Sequence, residues 1–276
     1  MYTLSDGHSI PALGFGTYKA GDPSVLEEAI RLGYRLFDSA SYYQTERPLG
    51  EAIRSSGIPR DEFFVATKLW KEDMGYTETK EAFGRSLEAL GMEYVDLYLI
   101  HWPKPVPEYR EWRTLIRDTW CAMEELKRDG FIRSVGVSNF LPHHLEVLLE
   151  NAQIDPAVNQ IEFHPGYTQW SAVEYCRAHS ITVQAWSPLG RTRMLDDPLL
   201  SEIAAHHGVS PAQVCLRFAF EEGVIALPKS SSSQRMEENL DIFRFSLTKE
   251  ERMQLGSMPP AGWSGEHPDR PRVYFS

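Results

Sequence analysis

Cysteine is scarce in this chain: three among 276 residues, Cys121, Cys176 and Cys215. Their spacing holds no C-x-x-C pair or other metal-ligand pattern, so no metal site is expected. An odd count leaves at least one thiol unpaired, which fits a reducing compartment better than a disulfide-stapled secreted protein. Each lies in a segment that reads as helical, and all three are expected to be small buried hydrophobes. Long apolar runs are missing too. Nothing approaches the ~18 residues of a membrane span, and Met1-Tyr2-Thr3-Leu4-Ser5-Asp6 has neither the basic start nor the apolar core of a secretory signal. The expectation is a cytoplasmic protein. Basic excess is absent as well: 28 Lys and Arg against 39 Asp and Glu give a formal charge of −11. Such a chain repels nucleic acid and anionic membranes. An anionic ligand must therefore be met by a local basic cluster. No Gly/Ser/Pro linker divides the sequence, and Ser230–Ser233 is its one low-complexity stretch. One domain over residues 1–276 is the simplest organisation.

What the chain does have is alternation. Short apolar runs at 12–17, 35–38, 63–67, 95–100, 134–137, 157–160, 182–186 and 224–227 read as strands buried on both faces. Between them lie stretches with apolar residues three and four apart, such as Val25-Leu26 with Ala29-Ile30 and Phe83-Leu87-Leu90. Ser210-Pro211 reads as an N-cap followed by proline at the first helical position, and Thr248 to Glu251 as a capping box. Strand and helix alternating about eight times predict a (β/α)8 TIM barrel. The stretch Tyr2–Pro11, with its Asp6-Gly7 turn, predicts a β-hairpin closing the barrel floor. A doubly wound sheet is the rival architecture. Gly14-Phe15-Gly16 lacks the third glycine of a dinucleotide fingerprint and runs into Ala20-Gly21-Asp22 before any helix begins.

In such a barrel the chemistry gathers where strands end. Four polar residues stand there: Asp38, Lys68, His101 and, five residues past Asp38, Tyr43, with Tyr42 as its adjacent rival. Singly, each has an ordinary structural explanation. Together they form a proton donor. A lysine ammonium near a phenol stabilises the phenolate and lowers its pKa, an aspartate holds the lysine, and a histidine orients a carbonyl oxygen. The set contains no activated Ser or Cys nucleophile and suits reduction of a carbonyl by an external hydride.

At these residues the sequence resembles the aldo-keto reductase superfamily. The likeness runs through Phe37-Asp38-Ser39-Ala40 to Tyr43, Glu46 and Gly50-Glu51-Ala52-Ile53. It continues through Thr67-Lys68-Leu69-Trp70, Leu99-Ile100-His101-Trp102-Pro103 and Gly136-Val137-Ser138-Asn139-Phe140. Asn159-Gln160-Ile161-Glu162-Phe163-His164-Pro165 and Leu227-Pro228-Lys229-Ser230, on to Arg235 and Glu238-Asn239, complete it. The resemblance implies Asp38, Tyr43, Lys68 and His101 as the catalytic tetrad, choosing Tyr43 over Tyr42. It implies a nicotinamide cofactor, with Ser138, Asn139 and Gln160 on the carboxamide and Trp186 stacked on the ring. Gly16, Thr17, Ser187 and Leu189 are then cofactor contacts. Lys229, Ser230, Ser231 and Arg235 supply the anticipated basic cluster for a 2′-phosphate, and Glu238 and Asn239 reach the adenine. NADPH is thus favoured over NADH. Tyr18, Trp70, His101 and Trp102 line the substrate pocket, and His164 is expected to brace a loop. The short tail from Trp263 to Ser276 is similar to the bacterial 2,5-diketo-D-gluconate and methylglyoxal reductase branch. Gln44-Thr45 departs from the family's frequent Gly-Asn. The expectation is a monomeric reductase of small carbonyl compounds. Two rivals are a nucleotide-sensing module on the same fold and a two-carboxylate barrel hydrolase, for which Asp38 has no evident partner.

Overall fold

The computed structural model describes residues 1–270; the last part of the tail, 271–276, lies outside the described residues. The chain opens with a two-stranded antiparallel hairpin, β1 (Tyr2–Thr3) and β2 (Ser9–Ile10). Its turn places Gly7 at φ 87°, a left-handed conformation that glycine adopts without steric cost. Eight strands follow in one sheet: β3 (Phe15–Gly16), β4 (Leu36–Asp38), β5 (Phe64–Leu69), β6 (Val95–Ile100), β7 (Ile132–Ser138), β8 (Val158–Glu162), β9 (Thr182–Trp186) and β10 (Ile225–Ala226). Every neighbouring pair is parallel and follows sequence order. The sheet closes on itself where Leu13 bridges Ala226 and Gly16 N–H donates to the Pro228 carbonyl at 3.0 Å. This is the (β/α)8 barrel, and the rival doubly wound sheet is excluded.

The helices are α1 (Pro23–Arg31), α2 (Glu46–Ser55), α3 (Tyr76–Leu90), α4 (Trp112–Arg128), α5 (Pro142–Leu149), α6 (Trp170–Ala178), α7 (Pro198–His207), α8 (Pro211–Glu221), α9 (Ser233–Leu240) and α10 (Lys249–Gly256). Their starts follow local chemistry. Asp22 caps α1 ahead of Pro23, and capping boxes open α8 at Ser210 and α10 at Thr248.

Side-chain parity divides the core in two. Along β5, Val65 and Leu69 pack outward with the helices, whereas Phe64 and Ala66 fill the barrel with Leu36, Leu97, Leu99, Val158, Ile225 and Leu227. Leu4 and Ile10 of the hairpin join this interior cluster, so the hairpin stops the end where the strands begin. Gly14 is required by crowding there, because a Cβ would lie 2.5 Å from Leu36 Cγ. Two cysteines are buried as expected, but Cys121 is exposed. It sits on the solvent side of α4, next to the inward-facing Trp120 and Ala122.

Candidate active site

Strand parity explains which polar side chains meet. A strand sends alternate residues to one face. Leu36 is interior, so Asp38 is. Ala66 is interior, so Lys68 is. Leu97 and Leu99 are interior, so His101 follows them inward. Lys68 lies within β5 rather than beyond it, since the strand continues to Leu69. On β8 and β9 the same rule turns Gln160, Glu162, Gln184 and Trp186 inward. Tyr43 arrives differently, at the end of a short 3₁₀ turn, Ser41–Tyr43, closed by Gln44 in the left-handed region at φ 58°.

The four predicted catalytic side chains come together. Lys68 Nζ donates to Asp38 Oδ2 at 2.6 Å, to the Ser39 carbonyl at 2.8 Å and to the Tyr43 hydroxyl at 3.4 Å. His101 Nε2 lies 3.5 Å from the same hydroxyl. Asp38, Lys68 and His101 are buried and Tyr43 is part-buried on the cleft wall, and burial sets the titration of Tyr43, Lys68 and His101. Burial pushes the Tyr43 phenol well above its ordinary value, and the Asp38 carboxylate and Tyr18 add to the rise. This runs against the expectation that Lys68 leaves Tyr43 more acidic than a free tyrosine: burial disfavours the phenolate, and Asp38 and Tyr18 act in the same direction. Burial likewise lowers Lys68 against the opposing pull of Asp38. His101 falls well below its usual value through burial and then Lys68, so its imidazole is neutral. Its Nδ1 is buried with no hydrogen-bond partner among the described residues. The less costly tautomer carries the hydrogen on Nε2, the nitrogen beside Tyr43.

A hydroxyl chain supports this corner. Thr17 Oγ1 donates to the Asp38 carbonyl at 3.1 Å and lies 2.7 Å from Thr45 Oγ1, which lies 2.9 Å from Ser39 Oγ. The unusual Thr45 is thus a buried brace, and so is the side chain of Thr17, which does not face the cleft. Glu46 accepts from Thr67 Oγ1 at 2.6 Å, and burial raises its carboxyl.

Beside the tetrad, Gln160 Nε2 donates to Asp38 Oδ1 at 2.8 Å and to Gln184 Oε1 at 3.0 Å. Ser138 Oγ donates to the Gln160 carbonyl at 2.9 Å. Asn139, left-handed at φ 62°, donates through Nδ2 to the His101 carbonyl at 2.9 Å and accepts from Trp186 Nε1 at 2.8 Å.

These residues border a cleft of about 630 Å³, a size suited to a small-molecule ligand. Of the residues expected from sequence, Gly16, Tyr18, Asp38, Tyr43, Trp70, His101, Trp102, Asn139, Gln160, Trp186, Ser187, Leu189 and Lys229 line it. Lys68 and Ser138 stand directly behind that wall. Lys229 donates to Ser231 Oγ at 2.5 Å, and Ser230 folds into the turn whose next residue, Ser232, caps α9. Arg235 lies in the first turn of α9, and Glu238 and Asn239 lie in its second; none of the three lines the cleft. The loop past β9 holds Ser187, Arg191 and Thr192 at φ 48°, 54° and 65°. For a β-branched threonine this is a strained conformation, held on the cleft wall.

Sequence reasoning missed several cleft residues. Tyr42 stacks on Trp70 with centroids 3.9 Å apart. Lys19, Arg191 and Thr192 also line the cleft, as does Glu266 from the tail. Glu162 holds that tail, accepting from Ser264 N at 2.9 Å and Ser264 Oγ at 2.7 Å. Behind the cleft wall, parity could have found Gln184, two residues before Trp186; nothing local marks Glu266. His164 is fully buried, with Nδ1 2.7 Å from the Pro165 carbonyl. Among the described residues, two clusters of a histidine pair with a carboxylate lie away from the cleft, His143 and His144 with Asp269 and His206 and His207 with Glu251. In each the carboxylate is hydrogen-bonded to the imidazoles, and Lys104 also donates to Asp269.

Comparison with known proteins gives a consistent set of matches. The sequence profile described as "Aldo/keto reductase family" matches residues 12–258. The chain is 43% identical over 270 residues to a glyoxal reductase of Bacillus subtilis (strain 168), covering 96% of this chain and 95% of the relative. It is 35% identical over 272 residues to the methylglyoxal reductase DkgA of Escherichia coli O157:H7, covering 97% and 96%. A crystal structure of an aldo/keto reductase from Brucella melitensis has 43% identity and a TM-score of 0.87, over 92% of this chain and 97% of that one.

Proposed function

The chain belongs to the aldo/keto reductase family, and from that premise we propose that it reduces small aldehydes or ketones to alcohols with NADPH, Tyr43 giving the proton. The observation that carries this reading is the Tyr43 hydroxyl, flanked by Lys68 Nζ at 3.4 Å and His101 Nε2 at 3.5 Å on the wall of a cleft. The residues present suit the cofactor. Gln160 has spent its amide hydrogens inward and keeps Oε1 for the cleft, an acceptor for a carboxamide N–H. Trp186, fixed through Asn139, offers an indole face for stacking. Lys229 lines the cleft and Arg235 stands nearby at the start of α9, an arrangement suited to a phosphate. NADPH, when bound, supplies the hydride.

The chain's own residues do the rest. A substrate carbonyl oxygen accepts from Tyr43 and from His101 Nε2–H, and the neutral imidazole orients it. As negative charge develops on that oxygen, Tyr43 releases its proton to it. A phenol with a raised pKa stays fully protonated at neutral pH and yields its proton only to a stronger base, which a developing alkoxide is. Lys68 then neutralises the phenolate, and Asp38 keeps Lys68 charged in a site whose burial works against that charge. The aromatic wall of Tyr18, Tyr42, Trp70 and Trp102 excludes water around the reacting carbon.

The names of the relatives make methylglyoxal and glyoxal the first substrates to assay. Tyr43→Phe is expected to bind NADPH as the wild type does and to lose about 10²–10⁴-fold in kcat. Turnover within threefold of wild type would overturn the assignment of the acid.

A further inference from the structure

Gln184 is wholly buried in the barrel, and its Nε2 has no hydrogen-bond partner among the described residues. A fold seldom leaves an amide N–H2 unsatisfied in its interior, because the group gives up its water without compensation. Turning the Gln184 amide over would not cure the fault. Its nitrogen would then face Gln160 Nε2, and the bond at 3.0 Å would be lost. Gln160 cannot turn either, because its oxygen would then face the Asp38 carboxylate, which Nε2 now meets at 2.8 Å. The two amides therefore form a directed ladder. Asp38 can only accept, so Gln160 donates to it. Gln160 then has one hydrogen left, which Gln184 Oε1 takes.

We infer that Gln184 is a positioning residue: Asp38 sets which end of the Gln160 amide turns inward, and Gln184, by accepting the second hydrogen, holds the plane of that amide so that Gln160 Oε1 is kept toward the cleft as an acceptor for a cofactor ring that carries an amide donor. The inference rests on the proposed use of a nicotinamide cofactor and adds to it a cause of amide selectivity. Gln184 itself stays behind Gln160 and acts through it. Its unpartnered N–H2 follows from that task, since the one orientation that accepts from Gln160 leaves its own nitrogen without a partner among the described residues.

The test compares binding of NADP⁺ with that of its 3-acetylpyridine analogue, which keeps the ring carbonyl and lacks the N–H2. Indole-fluorescence quenching reads both affinities without turnover. The wild type is expected to prefer NADP⁺ by about tenfold or more, the worth of one hydrogen bond to a directed acceptor. Gln184→Met conserves volume and removes the unpartnered amide, so its Tm should stay at or near that of the wild type. Its preference should fall to about threefold or less, through weaker binding of NADP⁺. An unchanged preference in a folded Gln184→Met protein would refute the inference, and so would a wild type that binds both nucleotides equally. Failure of the wild type to bind NADP⁺ at all would instead remove the cofactor reading on which the inference stands.

Discussion

The two ends of the cleft meet charge in opposite ways. At the tetrad, Lys68 and Asp38 are almost completely removed from water and joined at 2.6 Å. Elsewhere, Lys229 on the cleft wall and Arg235 just off it are exposed, on a turn and the first turn of a helix. Buried charges are held by complete pairing, since each alone would suffer a large desolvation penalty. Exposed ones keep their hydration and change partners at little cost. In the proposed reading, the buried group therefore holds one proton in one geometry, and the exposed pair takes up and releases an anion.

The contrast ranks what substitutions should do. Lys68→Met attacks the buried pair and should have the largest effect: loss of stability by about 3–5 kcal/mol, from stranding Asp38, and of kcat by at least about 10³-fold. Urea unfolding and steady-state kinetics check both; a Lys68→Met protein as stable as the wild type would mean that the pair is not the closed unit its geometry suggests. Arg235→Ala attacks the exposed end. The fold should be unaffected while the Kd for NADPH rises about 10–100-fold and that for NADH stays put, consistent with a charge-assisted hydrogen bond of about 1.5–3 kcal/mol. Equal losses for the two nucleotides would argue against a 2′-phosphate at that end.

Ser264→Ala probes the tail between them. It removes the hydroxyl bond to Glu162 and leaves the backbone one. The KM for methylglyoxal should rise a few-fold, about 1 kcal/mol, with NADPH affinity unchanged. The smallest effect concerns pH. The depressed pKa of His101 keeps it neutral through pH 6–8, so kcat/KM should show no histidine inflection there. By linkage, the cost of its burial is felt only as pH falls below the unfolded value of about 6.5, where the unfolded chain gains a proton that the folded site refuses. A step in kcat/KM near pH 6.5 that disappears in His101→Gln would show that the site is wetter than its burial implies.

The barrel was legible because its signals are local. Parallel strands buried on both faces are apolar along their length, and all eight runs became strands of the sheet. Caps at Asp22, Ser210 and Thr248 are short-range hydrogen bonds between near neighbours. Strand ends pointed to Asp38, Lys68 and His101, since parity and position are both encoded in the run of residues. Cys121 misled because a cysteine in a helical segment does not say which face it occupies. The acidity of Tyr43 misled for a different reason: the sequence names the lysine beside it, but burial has the larger influence on the phenol and comes from the packing of distant elements.

The sequence by itself determined the alternation of strand and helix, the inward parity of the polar side chains and the sign of the charges at each end of the cleft. These depend on residue type and spacing along a few turns or one strand. Only the tertiary structure decided that burial raises the Tyr43 phenol, that Thr45 and Thr17 brace the loop, that Glu266 reaches the cleft and that Gln160 spends its amide hydrogens on Asp38 and Gln184. Each of these depends on groups far apart in the chain, such as Asp38 and Gln160 at 2.8 Å across 122 residues. Desolvation and hydrogen-bond direction are properties of the closed barrel, and neither exists until its strands have come together.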